Sequence, residues 1–176
     1  MSDIGLIHIY CGDGKGKTTA AMGLAARCAG HGKGVVIAQF LKDGTSGECK
    51  TLARLDNVTI LAANPCGKFS FHLQSDERVS TADAIERTFR AACDYAVRTG
   101  ARLLVLDEVC TAVAYDFLPE EDVIGFLDSK PEGLEVVLTG RNPTPDLMDR
   151  ADYISEIMNR RHPYQKGVAA REDIEL

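Results

Sequence analysis

Short apolar runs alternate along this chain with polar, helix-forming stretches, a pattern that predicts strands joined by helices. The runs are 4–10 (IGLIHIY), 35–40 (VVIAQF), 58–63, 102–108 (RLLVLDE), 134–140 and 151–158. Several are continuously apolar rather than alternating, as in parallel strands covered on both faces. Between them, 19–29 is rich in Ala, Met and Leu and reads as a helix, closed by the glycine-rich stretch 30–34. From Ser75 or Asp76 as N-cap, Ala82, Ile85, Phe89, Ala92, Cys93 and Ala96 recur at helical spacing as far as Gly100. A short helix is expected over 50–55. Another opens at Pro119 with Glu120, Glu121 and Asp122 at its positive end, and a third at Pro143 or Pro145. The stretch 64–74 lacks a period and reads as a loop carrying Phe69 and Phe71, while 109–118, with Tyr115, lies between elements and is assigned to none.

The expectation is an α/β fold with a mostly parallel sheet flanked by helices on both faces. At 176 residues and 45% hydrophobic, residues 1–176 are expected to form one domain. No run approaches the ~18 apolar residues of a membrane span, and the Met-Ser-Asp start lacks a leader pattern, so a cytoplasmic protein is expected. A net charge of −6, from 26 acidic and 20 basic residues, disfavours a nucleic-acid partner. The six cysteines include no C-x-x-C pair and the four histidines are dispersed, which argues against a zinc or redox centre.

One stretch carries chemistry more strongly than the rest. Cys11-Gly12-Asp13-Gly14-Lys15-Gly16-Lys17-Thr18-Thr19 lies between the first strand and the first helix. Strand, glycine-rich turn and helix in that order aim backbone N–H groups and a positive helix end at an anion. Lys17 supplies a charge for terminal phosphates, the Thr18 hydroxyl suits a magnesium ion, and Lys15 makes the loop more cationic still. The usual G-x-x-x-x-G-K-[ST] pattern is broken at Cys11, with the first glycine one residue late at Gly12. A Gly/Lys-rich turn without ligand is the rival reading.

Asp107 and Glu108 end the fourth strand, where a phosphate-loop protein places its second set of metal-binding groups. Asp107 would hold magnesium directly or through water. Glu108 would activate water in a hydrolase or bind the metal in a transferase. Lys42, Asp43 and Gly44 fall at the carboxyl end of the second strand, the edge at which such sheets bind ligands. Arg141 follows the fifth strand and either faces that edge or pairs with Asp146 or Asp149. The basic turn 159–167 either binds phosphate or is a solvated tail.

Taken together, these motifs resemble the ATP:corrinoid adenosyltransferases of cobalamin biosynthesis and salvage. The matching residues are GDGKGKTTAA from Gly12, Ala26-Arg27, GHGK from Gly30, QFLK from Gln39 and Leu106-Asp107-Glu108. AYD from Ala114, Leu118-Pro119, TGR from Thr139, Ala151-Asp152, Ser155-Glu156, RHPY from Arg161 and Gly167-Val168 continue the match over nearly the whole chain. A residue other than glycine before Gly12 is normal in that family.

The resemblance implies a RecA-like phosphate-loop fold, a homodimer, and MgATP bound with its phosphates turned end for end. It implies that Gly12, Asp13, Gly14, Lys15, Gly16, Lys17, Thr18 and Thr19 hold the triphosphate, with magnesium on Thr18 and Glu108 beside Asp107. Arg27 and Arg141 would lie on the phosphate or corrinoid side. The Co(I) of a reduced corrinoid would attack the 5′ carbon of ATP and expel triphosphate, a flavoprotein being the candidate reductant. Phe69 and Phe71 align with an aromatic pair that displaces the lower cobalt ligand, the alternative being ordinary packing.

Two departures bear on lid closure and corrinoid choice. Only ten residues precede Cys11, and Asp173 and Leu176 stand where glycine and an aromatic are common. The rival functions are a RecA-like ATPase or DNA-dependent motor, a small-molecule kinase, and a non-catalytic corrinoid carrier. The acidic balance, the absence of an acceptor motif and the complete phosphate loop weigh against them in turn.

Overall fold

The computed structural model describes residues 4–63, 75–171 and 173–174. The strands are β1 (Ile7–Cys11), β2 (Val35–Gln39), β3 (Val58–Ala62), β4 (Leu103–Asp107), β5 (Glu135–Thr139) and β6 (Tyr153–Glu156). The helices are α1 (Lys17–Gly30), α2 (Gly47–Leu52), α3 (Ser75–Thr99), α4 (Val109–Ala114), α5 (Glu120–Ser129) and α6 (Pro145–Asp149). A 3-10 turn follows at Pro163–Lys166.

The strands form one sheet in the order β3-β2-β4-β5-β1-β6, with every neighbouring pair parallel. Tyr10 is level with Thr139, Gln39 with Asp107 and Leu106 with Leu138, so β1, β2, β4 and β5 all end at one edge. The order inserts β5 between the strand that leads into the glycine-rich loop and the strand that ends in Asp107. No helix among the described residues is long and apolar enough to cross a membrane.

Alternation along the strands divides the core in two, because successive side chains leave a strand on opposite faces. Val36, Ala38, Leu104, Leu106, Val136 and Leu138 pack under Ile85, Phe89 and Ala92 of α3 and Val123 and Leu127 of α5. Val35, Ile37, Leu103, Val105 and Val137 pack on the other face under Ala21, Met22 and Ala25 of α1 and Cys49 and Leu52 of α2. Truncating a fully buried leucine such as Leu106 to alanine is expected to cost about 2–5 kcal/mol. Strand β6 is exposed along its length, as an edge strand.

The predicted strands and long helices are present, with ends that differ by a few residues. The short second helix starts at Gly47 rather than Lys50. Within 109–118, where the sequence assigns no element, Val109–Ala114 is helical. Six residues are too few to show a period, and burial of Val109, Cys110, Thr111, Ala112 and Val113 holds this helix rather than propensity. That burial pushes the Cys110 thiol up to about 12.

Candidate functional site

The loop after β1 is shaped by contacts with the segment that follows β6. Gly12 has φ +101°, and a Cβ there would come within 2.4 Å of the Ile157 carbonyl oxygen; at Gly14 it would come within 2.7 Å of that atom. Only glycine admits this approach. The Gly14 N–H donates to Ile157 O (2.7 Å), the Ile157 N–H donates to Cys11 O (2.8 Å), and the Asn159 N–H donates to Asp13 Oδ1 (2.9 Å). Gly16, at φ +125°, is the N-cap of α1, and no side chain caps that helix. Its first N–H groups therefore suit an anion.

Lys17 is only 8% exposed, and its Nζ donates to Gly14 O at 3.0 Å. Burial lowers its pKa; the charges of Glu108 and Asp13 oppose the shift, while those of Arg141 and Lys42 add to it. A buried, partly compensated ammonium at a helix N-terminus is prepared for a polyanion.

Asp107, at the end of β4, is fully buried and accepts from four donors. Thr18 Oγ1 (2.9 Å) and Thr139 Oγ1 (2.8 Å) reach Oδ1; Gln39 Nε2 (3.0 Å) and Lys42 Nζ (3.1 Å) reach Oδ2. Lys42 also donates to Thr18 Oγ1 at 2.8 Å. These donors come from α1, β5, β2 and the turn after β2, so one carboxylate ties four segments together. Its burial is tolerable because its lone pairs are used and a cation is at hand.

Glu108 opens α4 in the left-handed region, at φ +66°. Its N–H donates to Thr139 Oγ1 (2.8 Å), and its Oε2 accepts from Thr111 Oγ1 (2.5 Å). A non-glycine residue held there is strained, and contacts on both sides maintain it. The Arg141 N–H donates to the same Thr111 hydroxyl at 2.9 Å. Between these groups Gly140, at φ +142°, lets β5 end against α4; a Cβ there would lie 2.6 Å from Thr111 N. Among the described residues the exposed Arg141 makes no ion pair, with Asp146 and Asp149 or otherwise, and its charge acts on Lys17.

The structure thus gathers Gly12, Asp13, Gly14, Gly16, Lys17, Thr18, Asp107, Glu108 and Arg141 at one sheet edge. Lys15 and Thr19 are exposed on the loop and in the first turn of α1. Arg27 stands apart from this group within the chain. It lies in the last turn of α1, about 15 Å along the axis from Lys17 at 1.5 Å per residue, and its charge acts on Tyr10. The fold does not bring it to the loop. Phe69 and Phe71 lie outside the described residues.

Gln39, Thr111 and Thr139 were not legible as site residues, nor were the contacts of Lys42. The available signal is a polar residue ending an otherwise apolar buried strand, as Gln39 ends β2 and Thr139 ends β5. A hydroxyl with two carboxylates is a hard oxygen donor set of the kind that holds magnesium together with substrate phosphates.

Comparison with known proteins adds an independent line. A model of the family described as ATP:corrinoid adenosyltransferase BtuR/CobO/CobP matches residues 3–176. The corrinoid adenosyltransferase CobA of Salmonella typhimurium is 37% identical over 181 residues, spanning 97% of this chain and 85% of that protein. The corrinoid adenosyltransferase of Escherichia coli K12 is 33% identical over 169 residues, spanning 95% and 83%. Among solved structures, the KaiC-like protein PH0186 of Pyrococcus horikoshii superposes with a TM-score of 0.50 at 13% identity, covering 90% of this chain and 75% of that one. That likeness concerns the fold alone.

Proposed function

Because the chain belongs to the ATP:corrinoid adenosyltransferase family, we propose that it binds MgATP at the loop 11–19 and transfers the 5′-deoxyadenosyl group to a reduced corrinoid. The cobalt(I) electron pair forms the Co–C bond as the C5′–O bond breaks, and its electrons leave with inorganic triphosphate. The observation that carries this reading is the Thr18–Asp107 hydrogen bond of 2.9 Å, which joins the phosphate loop to the carboxylates at the end of β4.

The nucleophile is the substrate's metal, so the protein needs no nucleophile of its own. Its task is to align two large molecules and stabilise a highly charged leaving group. Lys17 and the N–H groups at the start of α1 bind the triphosphate, with Lys15 at the loop's exposed rim. Arg141 adds positive charge from the end of β5. Thr18 and Glu108 hold magnesium beside Asp107, and Thr111 fixes one Glu108 oxygen at 2.5 Å. When bound, the ion neutralises charge that develops on the departing triphosphate. Phe69 and Phe71 are proposed to lie against the corrinoid and displace its lower ligand, on the strength of the family likeness. The same likeness supports a homodimer in the cytoplasm served by a flavoprotein reductant.

The test is anaerobic. Protein, MgATP and chemically reduced cob(I)alamin are mixed, the corrinoid spectrum is followed, and the second product is assayed. Adenosylated corrinoid with intact triphosphate is expected, with cob(I)inamide and cob(I)yrinic acid diamide as further acceptors. Release of single phosphates without alkylation of any of the three would overturn the reading in favour of an ATPase.

A further inference from the structure

The Lys42 ammonium lies between two groups that the proposed reaction assigns to the metal, 2.8 Å from Thr18 Oγ1 and 3.1 Å from Asp107 Oδ2. Magnesium binds oxygen at about 2.0–2.1 Å and keeps water molecules around it. An ion on Thr18 Oγ1, with a water reaching Asp107, would fall in the space that Nζ fills. Two cations so close repel strongly in a half-buried site. The partners differ in freedom: the Lys42 side chain is 37% exposed and Asp107 is 0% exposed. A lysine stem can swing toward solvent or an anion, whereas the carboxylate is held by Thr18, Gln39 and Thr139.

We propose that Lys42 is a positioning residue that holds the metal's place: its ammonium and a divalent ion exclude each other at Thr18 and Asp107, and metal entry moves Lys42 onto the triphosphate. This rests on the reading of the site as an MgATP site. Two consequences follow from charge balance. Without metal, Lys42 neutralises Asp107 and keeps the loop joined to β4. A divalent ion arriving alone must displace a cation whose ion pair among the described residues is with Asp107, whereas one arriving with ATP brings a new anion for it. Metal and nucleotide therefore bind cooperatively, and Lys42 is the source of the coupling.

The experiment uses Mn²⁺ as the probe, with free ion read by electron paramagnetic resonance, on wild type, Lys42→Met and Lys42→Arg, each with and without ATP. Without nucleotide, Lys42→Met is expected to bind Mn²⁺ about tenfold more tightly than wild type, with Lys42→Arg close to wild type. ATP should raise the metal affinity of wild type by a larger factor than that of Lys42→Met. Structural damage would weaken metal binding, so a gain separates the two explanations. Equal Mn²⁺ affinity in wild type and Lys42→Met without nucleotide, while both take up Mn²⁺ with ATP, overturns the place-holding role and leaves the MgATP reading standing. No uptake by either protein even with ATP overturns both. If Lys42→Met does not fold, as judged by circular dichroism, acetylation of Lys42 in wild type is followed by mass spectrometry. Protection by MnATP beyond that by ATP with a chelator is expected, and identical rates overturn the proposal.

Discussion

Thr139 Oγ1 donates to Asp107 Oδ1 over 2.8 Å and accepts the Glu108 N–H over 2.8 Å, so one side chain on β5 sets both acids at the end of β4. Thr139→Val keeps the shape and removes the hydroxyl. It leaves two polar groups short of a partner, one of them fully buried, at about 1–3 kcal/mol for each. Chemical denaturation is expected to show a loss of about 2–4 kcal/mol. Turnover should fall by about 10- to 100-fold as Glu108 loses its register.

Lys17→Ala separates stability from function. The ammonium donates to its own loop at Gly14 O, and burial works against its charge. Thermal melting should therefore be retained or slightly improved. Loss of a preorganised charge on the leaving group is expected to raise the barrier by about 2–4 kcal/mol, or roughly 30- to 1000-fold in turnover. A variant that melts normally and turns over at the wild-type rate would remove Lys17 from the triphosphate site.

At Gly140 the obstacle is space as well as backbone. With φ +142° and Thr111 N and Oγ1 at 2.6 and 2.8 Å from a built Cβ, alanine must push α4 away from β5. Gly140→Ala is expected to lose about 3 kcal/mol or more. It should also lower turnover without altering any residue that touches substrate, because Arg141 N and Glu108 Oε2 share the Thr111 hydroxyl. Melting curves and steady-state kinetics on the same preparation check both effects.

Glu135 gives the pH dependence. Burial pushes its pKa up, but His8 at 2.5 Å, the Leu6 N–H at 3.0 Å and Arg102 at 3.3 Å outweigh burial and hold it below the usual 4.5. A carboxylate whose folded pKa is depressed contributes stability above its unfolded value and loses it as pH falls through the folded one. Glu135→Gln should cost about 1–2 kcal/mol at pH 7 and flatten the acid limb below about pH 4.5. Glu135 begins β5, at the sheet edge opposite the loop, so turnover at pH 7 should be unchanged in thermostatted assays below the melting range. Melting temperature against pH for both proteins is the measurement.

The loop 11–19, the strand ending in Asp107-Glu108 and the arginine after the fifth strand were legible because their chemistry is local. A turn that needs positive φ calls for glycine where it stands, and a carboxylate pair at the end of an apolar strand declares its place without reference to any partner. Arg27 is the complementary case: a helix carries a residue away at a constant rise, and a motif match does not measure its distance from the loop. Helix α4 escaped because burial rather than periodicity holds it.

The sequence by itself determined the alternation of strand and helix, the phosphate loop and the resemblance to a family of adenosyltransferases, all encoded in neighbouring residues. Only the tertiary structure decided that β5 lies between β1 and β4, and with it that Thr139, Gln39 and Lys42 meet on Asp107. Strand order is a competition among many pairings of similar apolar strands, settled by the packing of two faces at once. No short stretch of chain carries that information.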